Sequence, residues 1–343
     1  MTDLIAKIAP AVREICGAGE LKLTTLPGGA SLRRYHRIDV AGGKPASLVL
    51  MELGEDPLRS EEANGKEAPK ELPFLNVQRY LRSGKISVPD IYRFDPTEGL
   101  IYLEDLGDIT FESRVLADDD AVRRTYYRSA IDELIRMQEF ADSQPDPNCV
   151  AFSRGFDFTL LKWELDHFRE YGLEAQGIAL SPAEASELER QFKWIAERLA
   201  AEPRGFVHRD YQSRNLMVQD RAIGPQLRVI DFQDALLGSR AYDLVGLLRD
   251  SYISLSPKLL DELVDYFIDR AGVEARHFRE LFALQTVQRK LKDSGRFVFI
   301  DRVKKNPSFL VHIPNSLKYV AHALERVPNL ASITEILKHK SVI

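Results

Sequence analysis

The stretch FVHRDYQSRNLMV, residues 206–218, sets charge and amide groups between two apolar strips. Within it His208, Asp210 and Asn215 stand in the pattern HxDxxxxN, and a second apolar run, LRVIDF (227–232), carries Asp231 near its end. This set suits phosphoryl transfer. There the protein supplies an acceptor for the attacking hydroxyl's proton and oxygen ligands for the cation that neutralises phosphate charge. Asp210 is then the hydroxyl acceptor, Asn215 and Asp231 are the metal ligands, and His208 orients the loop without moving a proton. A lone HxD is a common turn former. Here the motif, its apolar flanks and the strand-end Asp coincide.

Composition narrows the field. A chain of 343 residues, 44% hydrophobic and 29% charged, has material for two lobes and a sizeable core. A net charge of -5 and the lack of a dense Lys/Arg block give no support to a nucleic-acid partner. Cys16 and Cys149 are the two cysteines and form no CxxC, which argues against a disulfide scaffold or a structural zinc. Asp3, Lys7, Arg13 and Glu14 interrupt the first apolar positions, so the N-terminus reads as an amphipathic helix and not a signal peptide. No apolar run reaches membrane-spanning length. The expectation is a cytoplasmic protein with a small-molecule substrate and neither nucleic-acid nor membrane partner; the oligomeric state is left open.

The style of the chain changes near residue 107. Before it, 21–27, 31–40 and 46–53 read as strands separated by glycine turns. Residues 55–71 read as a mobile charged loop, PFLNVQRYLRSG as a helix, and VPDIYRFD and GLIYLEDLG as two further strands. Beyond 108 the periods are helical over 121–141, 157–171, 182–200, 242–271 and 275–292, interrupted by GFVHRD, NLMV and LRVIDF. The fold class is α+β, with a small β-rich lobe over 1–107, a hinge at 102–108 and a larger, mainly helical lobe over 108–343.

The stretch HRDYQSRNLMV, followed by RVIDFQDALLGSRAYDLVGLLRD, resembles the aminoglycoside phosphotransferase-type kinases, whose two-lobe fold is protein-kinase-like. GGASLRRYHRI, IYLEDLGDITF and QRKLKDSGRF are similar to the bacterial cell-wall sugar kinases within that group. The resemblance implies ATP, Mg2+ and transfer of the γ-phosphate to the anomeric hydroxyl of N-acetylmuramate or N-acetylglucosamine in peptidoglycan recycling. Two alternatives stay open. One is another small acceptor, such as an aminoglycoside, choline, homoserine or a different sugar. The other is a catalytically silent nucleotide-binding protein. A peptide substrate is disfavoured, since DFQD replaces DFG and no APE follows.

The same resemblance assigns further roles. Gly28, Gly29 and Ser31 fall in the hairpin that covers the nucleotide phosphates, where glycine lets backbone amides approach; GGAS alone would equally be an ordinary turn. Glu104 and Leu106 offer main-chain atoms to adenine, and Asp243 braces the catalytic loop. Kinases of this fold hold the α- and β-phosphates with a Lys on the third strand, yet ASLVLMELGED offers only Met51 and Glu52. That loss motivates the silent reading. Arg33, Arg34 and Arg37 are the candidate substitutes, with Arg33 and Arg37 on one strand face and Arg34 on the other. Asp234, Arg249, Asp250, Arg289 and Lys292 lie on segments expected to face the acceptor. Arg289 is the candidate partner for a lactyl carboxylate, although a solvated helix face would account for QRKLKDSGRF as well.

Overall fold

Alternating apolar residues in the first hundred positions build one antiparallel sheet. Its strands are β1 (Leu21–Thr25), β2 (Arg34–Val40), β3 (Ser47–Glu52), β4 (Ile91–Asp95) and β5 (Leu100–Glu104), in the order β1-β2-β3-β5-β4. The computed structural model describes residues 2–27, 33–54, 71–116, 118–221 and 224–343. Gly28, Gly29, Ser31 and all of the charged loop except Glu71 therefore lie outside the described residues.

Register decides which side chains meet the cleft. Tyr35 lies opposite Met51, Arg37 opposite Val49, and Met51 opposite Ile101, so these share one face. Arg34 and Glu52 pair on the other. On that far face α1 (Thr2–Cys16) buries Ile8, Ala11, Val12 and Cys16 against Ile38, Val40, Leu48 and Leu50. On the near face α2 (Pro73–Ser83) brings Phe74, Val77 and Leu81 into one core with Met51, Ile101 and Leu103.

The second lobe is mainly helical. It holds α3 (Phe111–Leu116), α4 (Asp120–Ser143), α5 (Phe158–His167), α6 (Pro182–Ala200), α7 (Ala241–Leu248), α8 (Pro257–Ala271), α9 (Ala275–Lys304), α10 (Ile313–Leu324) and α11 (Ala331–His339). Two short antiparallel strand pairs interrupt these helices. β6 (Arg204–Val207) pairs with β9 (Leu236–Ser239), and β7 (Leu216–Arg221) with β8 (Gly224–Val229). A single apolar cluster runs from the near face of the sheet into this lobe. The two-lobe α+β expectation holds.

Three boundaries differ from the sequence reading. The helix expected over 242–271 is two, because Ser256 accepts the Leu259 N–H at 3.3 Å and Pro257 occupies the first position of α8. α9 runs on past 292 to Lys304. Gly295 sits mid-helix under a close approach. A Cβ there would lie 2.7 Å from Phe168 Cα and 2.9 Å from the His167 carbonyl oxygen. The π-helical turn Phe168–Leu173 that extends α5 presses on this glycine. Lastly, α3, β9, α10 and α11 have no counterpart in the sequence reading.

Gly295→Ala should therefore overpack the contact between α9 and the π-helical turn, costing about 1–3 kcal/mol. Urea unfolding measures it; an unchanged midpoint would mean that the two elements can part freely.

Candidate active site

The backbone departs from regular structure at two places, one in the HRD segment and one in the segment that follows β8. Arg209 has φ 81° and Asp231 φ 64°, both left-handed for residues that are not glycine. Such conformations cost about 1–3 kcal/mol each and persist where neighbours enforce them. Asp243, in the first turn of α7, accepts the N–H of His208 at 2.6 Å and of Arg209 at 2.9 Å. From the opposite side Arg289 of α9 donates Nη1 to the Arg209 carbonyl at 2.6 Å. Gly246 leaves room for that guanidinium, since a Cβ there would lie 3.2 Å from its central carbon. Asp250 accepts the Ser213 N–H at 2.8 Å, and the Tyr211 hydroxyl donates to the Ala130 carbonyl at 2.8 Å. The loop is held along most of its length.

This frame brings the three chemical residues together. Asn215 donates Nδ2 to the Asp210 carbonyl at 2.9 Å and to Asp231 Oδ2 at 3.3 Å. Gln233 Nε2 donates to Asp231 Oδ1 at 2.8 Å. Burial pushes the His208 imidazole down to about 4, so the ring is neutral at ordinary pH. Its Nε2 lies 3.0 Å from the Ile230 carbonyl and donates there, while the Ile230 N–H donates to the Asn215 carbonyl at 3.0 Å. His208 thereby ties the HRD loop to the segment carrying Asp231.

Burial lifts the Asp210 carboxyl to about 6, against the pull of Lys292 and Arg289, and Asp231 adds to the lift. Its side chain remains 36% exposed, with Arg289 at 3.9 Å. A carboxylate titrating just below neutral pH is matched to accepting a hydroxyl proton. Burial raises Asp231 as well, opposed by Gln233, Arg33 and Asn215. A bound cation would favour its ionised form. Asn215 commits its amide nitrogen to the loop, which leaves Oδ1 beside the Asp231 carboxylate as a pair of hard oxygen donors. Among the described residues no group of three or more His, Cys, Asp or Glu could hold a metal ion. A small divalent cation that completes its shell with water and phosphate oxygens needs no such group.

The remaining expected residues separate clearly. Arg37 donates to both oxygens of Asp105, at 2.7 and 3.0 Å, and reaches Asp108 at 2.7 Å, so it fastens the hinge. Arg34 lies 3.1 Å from Glu52 on the far face of the sheet. Arg33 stands 3.9 Å from Asp231. The Glu104 N–H is committed to the Asp90 carbonyl at 2.9 Å and its carboxylate to Arg228; Leu106 is buried in the connection that follows. Asp234 accepts from Gln233 at 3.3 Å and lies 4.0 Å from Arg154. Arg249 packs its guanidinium 5.0 Å from the centre of the Tyr319 ring, within the helical core and away from Asp210. Asp250 and Arg289, expected to face the acceptor, hydrogen-bond the loop backbone at Ser213 and Arg209, and Arg289 also lies 3.9 Å from the Asp210 carboxylate. Arg154, Gln233 and Gly246 were not anticipated. No local motif marks them, because their partners are set by tertiary packing.

The sequence profile of the phosphotransferase enzyme family matches residues 22–281. A protein of Pseudomonas putida named N-acetylmuramate/N-acetylglucosamine kinase is 30% identical to this chain, over 92% of this chain and 87% of the relative. One of the same name from Neisseria meningitidis is 27% identical, over 93% and 90%. Among solved structures, a choline/ethanolamine kinase family protein from Mesorhizobium loti superposes with a TM-score of 0.61 at 16% identity, covering 97% of this chain and 99% of that one. The ADP-bound aminoglycoside phosphotransferase APH(2'')-Ib gives 0.60 at 15% identity, covering 93% and 98%. These structural likenesses speak to the fold.

Since Asp210 must be ionised to accept a proton, turnover should be lost as pH falls through about 6 and level off above it. Asp210→Asn should reduce turnover by about 10²–10⁴-fold with an unchanged melting temperature. A pH–rate profile with no inflection near the Asp210 value would contradict the assignment.

Proposed function

The chain belongs to the phosphotransferase enzyme family, and from that premise we propose that it is an ATP- and Mg2+-dependent kinase of N-acetylated amino sugars, acting on the anomeric hydroxyl of N-acetylmuramate and N-acetylglucosamine. The observation that carries the reading is the joining of Asp210, Asn215 and Asp231 by one amide group, Asn215 Nδ2. Mg2+, when bound by Asn215 and Asp231, neutralises developing phosphate charge. Asp210 accepts the acceptor hydroxyl's proton. Its carboxylate is kept in place by the loop frame, so little reorganisation accompanies transfer. The lobe division near residue 107 belongs to the same proposal, with the nucleotide between sheet and catalytic loop.

The acceptor reading is supported by one side of α9. Arg289, Lys292 and Arg296 follow one another at helical spacing, starting 3.9 Å from Asp210. From Arg289 to Arg296 the helix advances about 10 Å, the scale of a substituted sugar ring. Arg296 places its guanidinium 4.6 Å from the centre of the Phe299 ring. The rings of Trp163, His167 and Tyr171, on α5 and its π-helical extension, continue this surface to Phe299. Aromatic faces beside cations suit a sugar bearing a carboxylate and disfavour a cationic acceptor such as choline or an aminoglycoside. The residue pointed at the lactyl carboxylate is then Arg296, while Arg289 stays with the loop.

The test is transfer from ATP with Mg2+ to N-acetylmuramate, N-acetylglucosamine, neutral hexoses, choline and an aminoglycoside, with phosphate position read by NMR. Phosphate on the anomeric carbon of both amino sugars is expected. Arg296→Gln should raise KM for N-acetylmuramate by about 10-fold or more and leave N-acetylglucosamine within a factor of about 2. Transfer to choline alone would overturn the acceptor assignment and keep the kinase.

A further inference from the structure

The third strand lacks the cation that kinases of this fold use on the nucleotide phosphates, and the structure shows why it could not sit there. Met51 is fully buried on the cleft face of β3, in one core with Phe74, Val77, Ile101 and Leu103. A Lys in its place would need a carboxylate from α2. That helix, PFLNVQRYLRS, carries none. Its buried polar residues are committed elsewhere: Asn76 donates to the Asn148 carbonyl and accepts the Val150 N–H, and Gln78 donates to the Pro89 carbonyl. A lone ammonium buried at 51 would be strongly unfavourable. The cation and its carboxylate partner are absent together, and apolar packing fills both places.

We propose that Arg33, entering from the leading end of β2, supplies a cation to the nucleotide's phosphates in place of that Lys. This deepens the kinase reading and rests on it. Arg33, Tyr35 and Arg37 follow the two-residue period onto the cleft face of the sheet, and Tyr35 stands directly opposite Met51. Two residues further toward the catalytic loop, the Arg33 guanidinium comes within 3.9 Å of Asp231 across the cleft. The Arg33 guanidinium donates a hydrogen bond to the Tyr35 hydroxyl oxygen, which directs the arm. Of the three candidate arginines, only this one is directed at the metal-binding carboxylate; Arg34 faces the other way onto Glu52 and Arg37 is held by Asp105 and Asp108. Phosphates held by a cation at Asp231 would lie within reach of this guanidinium. Its planar fork presents two N–H donors in a fixed geometry to phosphate oxygens, where an ammonium acts as a point charge. Tyr35 is a positioning residue, and Arg33 touches the ligand.

The test is calorimetric binding of ATP with Mg2+, and of adenosine, to wild type, Arg33→Ala, Arg33→Lys and Arg34→Ala. Arg33→Ala should weaken ATP by about 10–100-fold and leave adenosine unchanged, since a charged hydrogen-bonded contact to phosphate is lost and no base contact is touched. Arg33→Lys should recover part of the loss, and Arg34→Ala should bind as wild type does. Equal ATP affinity in Arg33→Ala would overturn the inference. So would an equal loss for ATP and adenosine, which would mark a structural role. No ATP binding by wild type would instead remove the kinase reading on which the inference rests.

Discussion

Everything at the site depends on how the Arg209 peptide is held. Its N–H is caught by Asp243 and its carbonyl by Arg289, so a left-handed residue is clamped from two helices at once. Hydrogen bonds to charged groups contribute about 1.5–3 kcal/mol each, enough to offset a strained backbone. The next residue is Asp210. With the peptide before it fixed, its carboxylate stands over the cleft without its own hydrogen bonds having to put it there. Burial pushes Asp243 up to about 7, opposed by the His208 N–H, Arg289 and the Arg209 N–H. The clamp is thus a carboxylate whose ionised form burial resists and the two N–H groups it holds favour.

A second constraint joins the lobes. Arg37 binds Asp105 and Asp108 on one side of the connection after β5. On the other, Arg228 of β8 donates to Glu104 and to the Val88 carbonyl, the latter at 2.9 Å. Phe232, next to Asp231, stacks on Phe74 of α2 with ring centres 4.9 Å apart. Where a protein kinase ties its third strand to the following helix through a Lys–Glu ion pair, this chain packs Met51 against Phe74 and Val77, and cations stand at the hinge and at Arg33. The missing strand-three Lys is therefore part of a consistent rearrangement, and loss of activity is not needed to explain it.

The parts legible in the sequence are those where chemistry restricts residue type within a short span. HxDxxxxN and the strand-end Asp231 belong to that class, and so does the alternation that gives the sheet. What the residues could not reveal is long-range. Arg289 reads as a cleft residue on a charged helix, and nothing near it says that it reaches back to the Arg209 carbonyl. The expected helix ends at 292, short of Gly295, and nothing local marks that glycine's place under a neighbouring backbone. Ser256-Pro257 was a readable helix start, missed because the apolar period on either side is continuous. The three arginines were separable by face but not by partner, since Asp105, Glu52 and Asp231 come from different strands and lobes.

The central claim is that the Asp243 clamp presets Asp210 for transfer. Its most direct test is steady-state kinetics of Asp243→Ala beside its unfolding curve and its ATP affinity. The account predicts kcat lower by about 10²-fold or more, with ATP affinity nearly unchanged in protein that still folds. A folded variant with wild-type kcat would show that Asp210 finds its position without the clamp, and would contradict the account.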